Sequence, residues 1–397
     1  MAAHQLATRT APEPEFVLRG HSHAVTALRF LDRDSAKLLA SGDVGGYVQL
    51  WNLATRRPVA TWAAAPLGVL EVHAHGDGKL LTQTRDGRLR IWDLANLDEP
   101  TTTLNTNSFF FARCATVGHN IDHRPAPRPA PDEVEAPART TAARGIGAAP
   151  ASEDDDGTAP PAAAPTRWCD APGHARHLVL APTEPPEATL LWDTRQAQPA
   201  LKLAPDAGDR TLVRKGDASV LGNAMAMKLW LPRGQGNRPP LALVGHENGR
   251  VLAWDLAMPV PQVCAKTPRD AFSSPNVALD VNSEGTVLFA GGVEAKARAF
   301  RVEPGLLKPH GALEVSCPSI DELDQHQGVG QLALRPDGKV LASAGWDYRV
   351  RIFSAKSLKR LAVLRYHDAS VNALDWSDDL LATGSKDTKV AVWRLRF

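Results

Sequence analysis

A short pattern recurs along this chain and constrains its fold more than any other feature. Each copy has an apolar strand, a run of small residues, an Asp at a tight turn, and an alternating strand that ends in an aromatic residue. Alternation on both sides of a polar turn is typical of a β-hairpin. The clearest copies, each with the Asp six residues before the aromatic, are GKLLTQTRDGRLRIWD at 78–93 (Asp86, Trp92), GKVLASAGWDYRVRIF at 338–353 (Asp347, Phe353) and DLLATGSKDTKVAVW at 379–393 (Asp387, Trp393).

Weaker copies occupy the intervals between these three. In three of the weaker copies Gly45, Asn248 and Glu294 stand where the Asp is expected, and a fourth, ATLLWD at 188–193, lacks it. Most copies are spaced by roughly the 40–45 residues of one four-stranded blade. The repeats therefore predict an all-β, seven-bladed β-propeller of the WD40 type. The seven aromatic residues that end the copies are Trp51, Trp92, Trp192, Trp254, Phe300, Phe353 and Trp393.

The two ends of the chain predict how the ring closes. Residues 15–20 read as a lone strand before His21, and the last copy ends at Trp393 with no fourth strand of its own. The N-terminal strand can therefore complete the last blade and remove the edge that an open sheet would expose. We expect residues 1–15 to be a flexible N-terminus and residues 16–397 to form the propeller.

One segment differs in kind from the repeats. Residues 119–166 are rich in Pro and Ala, have few large apolar side chains, and carry acidic patches at 132–135 and 153–156. Such a composition buries too little apolar surface to offset the entropy of ordering the chain. We predict a disordered insertion within blade three, and the acidic patches act as solvated spacer or recruit a basic partner.

The bulk composition excludes several classes of partner. A formal net charge of +1 with 22% charged residues offers no basic stripe for nucleic acid and no cationic surface for a membrane. The apolar runs are only strand-sized, and Met1–Glu15 lacks the apolar core of a signal peptide. The four Cys are scattered without a CxxC pair, which fits reduced thiols. We expect a monomer that resides in the cytoplasm and the nucleus.

The sequence offers little chemistry. No nucleophile, base and carboxylate can be assembled into a catalytic set, so we expect no enzyme activity and no cofactor. Cys169, His174 and His177 have metal-like spacing, but a fourth ligand is not evident, and we expect no metal site. We expect a structural role, in the turns and between the blades, for His21, Asp86, Trp92, Asp347, Asp387 and Trp393.

The remaining candidates lie on the propeller surface. In a repeat of this type, the residue before the turn Asp and the start of the innermost strand lie at the rim of the narrower face. A Trp beside Arg and Lys is typical of a binding hot spot, because it offers a large rigid area at low entropic cost. The alternative is that Trp346 packs against a neighbouring loop. The predicted protein-binding residues are Trp346, Arg85, Lys386, Glu247, Asn372 and Thr26.

Several stretches resemble one subfamily of WD40 proteins. These are PEFVLRG at 14–20, WNLATRRP at 51–58, RPDGKVLASAGWDYR at 335–349, and LAVL at 361–364 through GSKD at 384–387. They are similar to the G-protein β-subunit-like protein 1 group, whose fungal relatives are called ASTRA-associated proteins. The resemblance covers the chain apart from 119–166. It implies a non-enzymatic adaptor that works with the TTT co-chaperone complex in the maturation and stability of phosphatidylinositol-3-kinase-related kinases.

Two other functions compete with this one. The tetrapeptide Trp192-Asp193-Thr-Arg195 matches the W-D-x-R ending by which many propellers dock to cullin–RING ubiquitin ligases, and it ends the third strand of a blade. The second is a heterotrimeric Gβ subunit. That role needs a long N-terminal helix that coils with Gγ, and Met1–Glu15 is short and interrupted by Pro. We therefore expect no Gγ partner.

Overall fold

Within the residues that it describes, the computed structural model of the chain has 28 β-strands arranged in consecutive groups of four. We call each group a blade, number the blades along the chain, and call the first strand of each blade its inner strand. The model describes residues 12–33, 36–76, 78–108, 111–117, 177–206, 212, 221–232, 239–315 and 327–397. The all-β propeller predicted from the repeats is confirmed.

The first strand, β1 (Phe16–Arg19), precedes the blades and belongs to the last of them. Blades 1 to 3 then follow in chain order as antiparallel sheets. Their strands are β2 (Val25–Arg33), β3 (Ala36–Asp43), β4 (Tyr47–Asn52) and β5 (Arg57–Ala63); β6 (Val69–Ala74), β7 (Lys79–Thr84), β8 (Arg88–Asp93) and β9 (Thr102–Asn105); and β10 (Ala115–Thr116), β11 (Leu178–Pro182), β12 (Thr189–Asp193) and β13 (Leu201–Leu203).

Blades 4 and 5 join edge to edge through a short parallel pairing of Ala265 and Lys266 with Gly305 and Leu306, so they form one eight-stranded sheet. The strands of blades 4 to 7 are β14 (Ala224–Trp230), β15 (Leu241–His246), β16 (Val251–Asp255) and β17 (Gln262–Lys266); β18 (Asn276–Val281), β19 (Val287–Gly292), β20 (Lys296–Glu303) and β21 (Gly305–Glu314); β22 (Val329–Leu334), β23 (Val340–Gly345), β24 (Arg349–Ser354) and β25 (Arg360–Arg365); and β26 (Val371–Ser377), β27 (Leu380–Ser385) and β28 (Lys389–Arg394).

The core lies between the blades. Seven apolar clusters fill the seven junctions, because alternate residues of each sheet face the preceding blade and the following blade. Each cluster contains one of the aromatic residues that end the repeats. Trp51, for example, lies in the cluster between blades 7 and 1, and Trp393 lies in the cluster between blades 6 and 7. These aromatics are therefore the central side chains of the inter-blade packing.

The ring closes through the N-terminal strand. Strand β1 pairs antiparallel with β28, from Phe16 opposite Val392 to Arg19 opposite Lys389, and Leu18 is buried between blades 7 and 1. The contact begins one residue before the predicted start of the propeller, since the backbone N–H of Glu15 donates to Val392 O at 2.8 Å. The carboxylate of Glu15 also pairs with Arg394 at 2.9 Å. The predicted closure by the N-terminal strand is confirmed.

The predicted insertion at 119–166 lies outside the described residues, as do residues 1–11 of the N-terminus. The inner strand β10 and the second strand β11 of blade 3 flank the undescribed stretch 118–176. Within the part of the chain that the structure describes, no helix has the length and apolarity needed to span a membrane.

We predict that deletion of residues 1–20 lowers the free energy of unfolding by roughly 3 kcal/mol or more. The deletion removes the β1–β28 ladder and the buried Leu18 side chain, and it exposes β28 as an unpaired edge. Thermal and urea unfolding of the truncated chain measure the effect. Deletion of residues 1–11 is the matched control because it retains the whole of β1, and equal stability of the two truncations would contradict closure by this strand.

Candidate functional site at the mouth of the central channel

The inner strands surround the central channel of the propeller, and they share an irregularity that shapes one end of it. In six of the seven blades the register between the inner strand and its neighbour shifts at the second residue. A β-bulge of this kind leaves one residue unpaired and redirects its side chain. All six bulged residues line a single cavity of about 500 Å³, which we call the mouth. They are Thr26, Leu70, Met225, Val277, Gly330 and Asn372.

Five of the six predicted surface residues meet at this mouth. Thr26 and Asn372 reach it from bulged positions, and Arg85, Trp346 and Lys386 reach it from the hairpin turns of blades 2, 6 and 7. The repeat pattern predicted this set because each member holds an equivalent position in its own blade. The other lining residues are Ala24, Val44, Phe111 and Arg113.

Glu247 does not line the mouth. It is exposed, and its carboxylate accepts a hydrogen bond at 3.2 Å from the backbone N–H of Asn223 within the same blade. Val293 of blade 5, which directly precedes the turn acid Glu294, does not line the mouth either, so this repeat position does not by itself bring a residue there. Glu247 is therefore removed from the candidate site.

Trp346 is half-buried at the mouth. A side chain at Gly330 would place its Cβ 3.1 Å from the indole Nε1, so the ring lies against this glycine. The backbone of Trp346 is also held, since its N–H donates to Gly328 O at 3.1 Å and its C=O accepts from the Ser370 hydroxyl at 3.0 Å. The indole therefore presents one surface to the mouth from a rigid position.

Arg85 contacts the exposed ring of Phe111. The guanidinium carbon of Arg85 lies 4.8 Å from the centre of the Phe111 ring, which is 65% exposed. This is the geometry of a cation–π interaction. The Nε–H group of Arg85 is buried and donates to no acceptor among the described residues. Sequence reasoning missed Phe111 because the residue lies in the irregular stretch between β9 and β10, where no repeat position defines it.

A layer of paired charges lies below the mouth. Arg113 donates to Asn372 O at 2.7 Å and faces Glu71 at 3.6 Å. Burial raises the pKa of Glu71, and the positive charges of Arg113 and Arg29 oppose that rise. Arg113 is therefore largely compensated by a carboxylate that the fold buries beside it.

Carboxylates and an amide of the same layer tie neighbouring blades together. Asp280 accepts from the backbone N–H of Leu334 at 2.6 Å, and the side-chain oxygen of Gln331 accepts from the N–H of Leu374 at 2.7 Å. Asp375 makes the same kind of bond between blades 7 and 1, where it accepts from the N–H of Phe30 at 2.7 Å. These bonds hold the inner strands in register and so fix the shape of the mouth.

Histidines of blades 1 and 7 are hydrogen-bonded to an acid in or beside the hairpin turn. In blade 7, Nδ1 of His367 donates to Asp387 at 2.9 Å, Nε2 lies 2.8 Å from the Thr383 hydroxyl, and the Trp393 indole N–H donates to the same hydroxyl at 3.1 Å. Burial alone would raise the pKa of Asp387, but the hydrogen bond and the charge of His367 lower it to about 2. These bonds join Asp387 and Trp393 in one network beside the turn of blade 7.

Blade 1 has a similar network around His21, but its acid lies at the end of the second strand. The acid is Asp43, which lies 2.8 Å from Nδ1 of His21, while Ser41 and Trp51 complete the network. Gly45 holds the turn position that the repeat spacing gives it, because it is the middle residue of the three between β3 and β4, as Asp86 is between β7 and β8. Asp43 lies two residues earlier and also accepts the backbone N–H of Gly45 at 2.9 Å and that of Tyr47 at 3.1 Å. Sequence reasoning missed Asp43 because the repeat pattern places the acid in the turn itself.

Arginines replace these histidines in three other blades. Asp347 pairs with Arg351 at 2.6 Å and Glu294 pairs with Arg298 at 3.1 Å, each four residues along the chain. Asp86 pairs with Arg90 in the same manner. These turn acids are therefore matched by internal cations.

The W-D-x-R residues occupy the end of β12 and the turn that follows. Trp192 is buried between blades 2 and 3. The guanidinium of Arg195, which is about half exposed, pairs with the buried carboxylate of Asp193 at 2.6 Å. The three residues thus form one ordered corner of blade 3, away from the mouth.

The metal-like cluster is only partly described. Cys169 and His174 lie outside the described residues, and the ring of His177 lies edge-on to that of His75 at 5.4 Å. Burial, followed by the charge of His177, lowers the pKa of His75 to about 4. Within the described ranges, no group of three or more His, Cys, Asp or Glu could hold a metal ion.

Comparison with known families agrees with this geometry. The family model "WD domain, G-beta repeat" matches residues 12–52, which contain β1 and most of blade 1. A second model, the WD40 domain of anaphase-promoting complex subunit 4, matches residues 317–379. Both matches identify WD40 repeats within the chain.

Similarity to curated proteins extends over nearly the whole chain. The guanine nucleotide-binding protein subunit beta-like protein 1 of Mus musculus is 28% identical over 97% of this chain and 96% of its own length. The ASTRA-associated protein 1 of Verticillium alfalfae is 28% identical over 94% of this chain and 82% of its own. The ASTRA-associated protein 1 of Schizosaccharomyces pombe is 24% identical over 97% of this chain and 99% of its own length.

We predict that the His367–Asp387 pair stabilises this WD40 protein above about pH 4. The folded pKa of Asp387, about 2, lies below its ordinary value of 3.8, so the stabilisation is present above 3.8 and is lost as the pH falls toward 2. Asp387→Asn should lower the free energy of unfolding by about 1–2 kcal/mol at neutral pH. It should also reduce the fall in that free energy between pH 4 and 2. Urea unfolding against pH measures both effects. The control is Asp270→Asn, at an exposed carboxylate. The prediction would be refuted if Asp387→Asn lost as much stability between pH 4 and 2 as the wild type does.

Proposed function

We propose that this WD40 protein is a non-enzymatic adaptor that works with the TTT co-chaperone complex in the maturation and stability of phosphatidylinositol-3-kinase-related kinases. The full-length similarity to proteins named ASTRA-associated protein 1 is the observation that carries this proposal. We further propose that the chain acts as a monomer, without a Gγ subunit, in the cytoplasm and the nucleus.

The character of the mouth supports binding over catalysis. Its described lining contains no Ser, Cys, His, Asp or Glu. The hydroxyl of Thr26, the single alcohol in this lining, already donates to the backbone C=O of Val69 at 2.6 Å. What the mouth offers is aromatic area beside Arg and Lys on rigid hairpins, a composition that is enriched at protein interfaces.

We predict that the tagged full-length chain co-purifies with TTT subunits and that the double variant Trp346→Ala, Arg85→Ala recovers at least about tenfold less of them. Removal of a true hot spot costs roughly 2 kcal/mol or more in binding. The measurement is affinity purification with quantitative mass spectrometry, accompanied by a thermal melt of each variant.

The matched control changes Arg57 and Lys356, two exposed cations outside the mouth, to Ala. Equal recovery of TTT subunits by the wild type and the mouth variant would keep the adaptor role and reject the mouth as its contact surface. Absence of TTT subunits from every sample would overturn the adaptor role itself.

A cullin–RING substrate receptor is the second candidate. Its support is the exposed guanidinium of Arg195, which the buried Asp193 holds at the corner of blade 3. If this role is correct, Arg195→Ala should abolish recovery of the ligase adaptor and leave thermal stability nearly unchanged. Recovery of ligase adaptors by both proteins would reject docking through this motif, and their recovery without TTT subunits would favour the ligase role over the TTT role.

A further inference from the structure

The mouth has an unbalanced charge. Its described lining contains the cations Arg85, Arg113 and Lys386 and no carboxylate. Arg113 is compensated from below by Glu71. Among the described residues, neither Arg85 nor Lys386 has a carboxylate within ion-pair distance, although the nearby turn acids are numerous. Those acids are already paired with Arg90, Arg351 and His367.

The local geometry keeps these two cations available. Arg85 and Lys386 each precede a turn acid, and their backbone N–H groups donate to Gly68 O and Ser370 O, both at 2.9 Å, in the adjoining loops. Their side chains therefore leave the hairpins on the side of the mouth. Arg85 also retains a buried Nε donor for which the described residues supply no acceptor. A donor of this kind is costly unless a ligand satisfies it.

Apolar side chains form the rest of the wall. Leu70, Met225 and Val277 line it from the bulges, and Phe111 and Trp346 line it from the loops. A cavity of about 500 Å³ with mainly apolar walls and a few polar groups is of the size and character of a specific binding pocket. The combination suits an apolar side chain that is flanked by negative charge.

We propose that the mouth binds an acidic peptide segment of a partner protein, with one large apolar side chain inserted in the cavity and flanking carboxylates paired with Arg85 and Lys386. The inference rests on the proposed adaptor function, for which it names the chemistry of the bound segment. A nucleic-acid backbone fits less well, because two unmatched cations beside an apolar pocket supply few phosphate contacts.

The experiment uses the purified full-length chain and a fluorescein-labelled short peptide with a central phenylalanine flanked by aspartates. Two matched peptides replace the phenylalanine by alanine or the aspartates by lysines. Fluorescence anisotropy should show saturable binding of the first peptide alone, and its affinity should fall as salt is raised because the ion pairs are partly exposed. Failure of the first peptide to bind at millimolar concentration, or equal binding of the lysine peptide, would overturn the proposal.

Variants locate the site on the protein. Arg85→Gln with Lys386→Gln should weaken the acidic peptide about tenfold or more. Arg57→Gln with Lys356→Gln, which has the same change in net charge outside the mouth, should leave its affinity unchanged. An equal loss of peptide affinity in both variants would mean nonspecific electrostatic attraction and would overturn the proposal that the mouth is the binding site. The peptide and salt comparisons on the wild type remain decisive if the mouth variant fails to fold.

One more variant identifies the occupant. If the acidic peptide binds only after Asp132, Glu133, Glu135 and residues 153–156 are changed to their uncharged amides, the chain's own acidic segment competes for the mouth and the proposal of a partner segment is overturned. Peptide binding without recovery of TTT subunits would reject the TTT complex as the partner and keep the inference that the mouth binds an acidic segment. Recovery of TTT subunits without peptide binding would keep the adaptor function and reject the acidic segment as the ligand of the mouth.

Discussion

The packing of large aromatic side chains between neighbouring blades is the interaction on which the other features depend. Each junction buries one Trp or Phe from the third strand of a blade together with aliphatic residues of both sheets. Burial of such a side chain contributes on the order of 2–3 kcal/mol. No blade can bury both faces alone, so the junctions must form together, and the β1–β28 pairing completes the last of them.

The polar networks at the turns serve this packing. His21 and His367 connect a turn acid to a hydroxyl that also receives the indole N–H of Trp51 or Trp393. The buried indole donor is thereby satisfied, which removes a desolvation cost that the apolar junction would otherwise carry. Where His is replaced, Arg90 and Arg351 neutralise the acid from four residues along the chain.

The mouth is a consequence of the same architecture. Because the inner strands converge on one axis, an equivalent β-bulge in six blades brings six residues, five of them with side chains, to one cavity. The turn acids are paired internally, and no carboxylate of the described part of the chain lies within ion-pair distance of Arg85 or Lys386 at the rim. Binding character therefore arises from positions that the fold does not use for its own stability, and these positions differ from blade to blade.

The sequence by itself determined the all-β propeller, the aromatic core of the junctions and the closing strand, because these follow from a repeat whose spacing and alternation are local. It also located Thr26, Asn372, Arg85, Trp346 and Lys386 by their equivalent repeat positions. Only the tertiary structure decided that these five meet in one cavity with Phe111 and Arg113, that Glu247 stays apart, and that Asp43, at the end of β3, is the acid that pairs with His21. Those facts depend on bulges, irregular loops and contacts between distant segments, which no local spacing specifies.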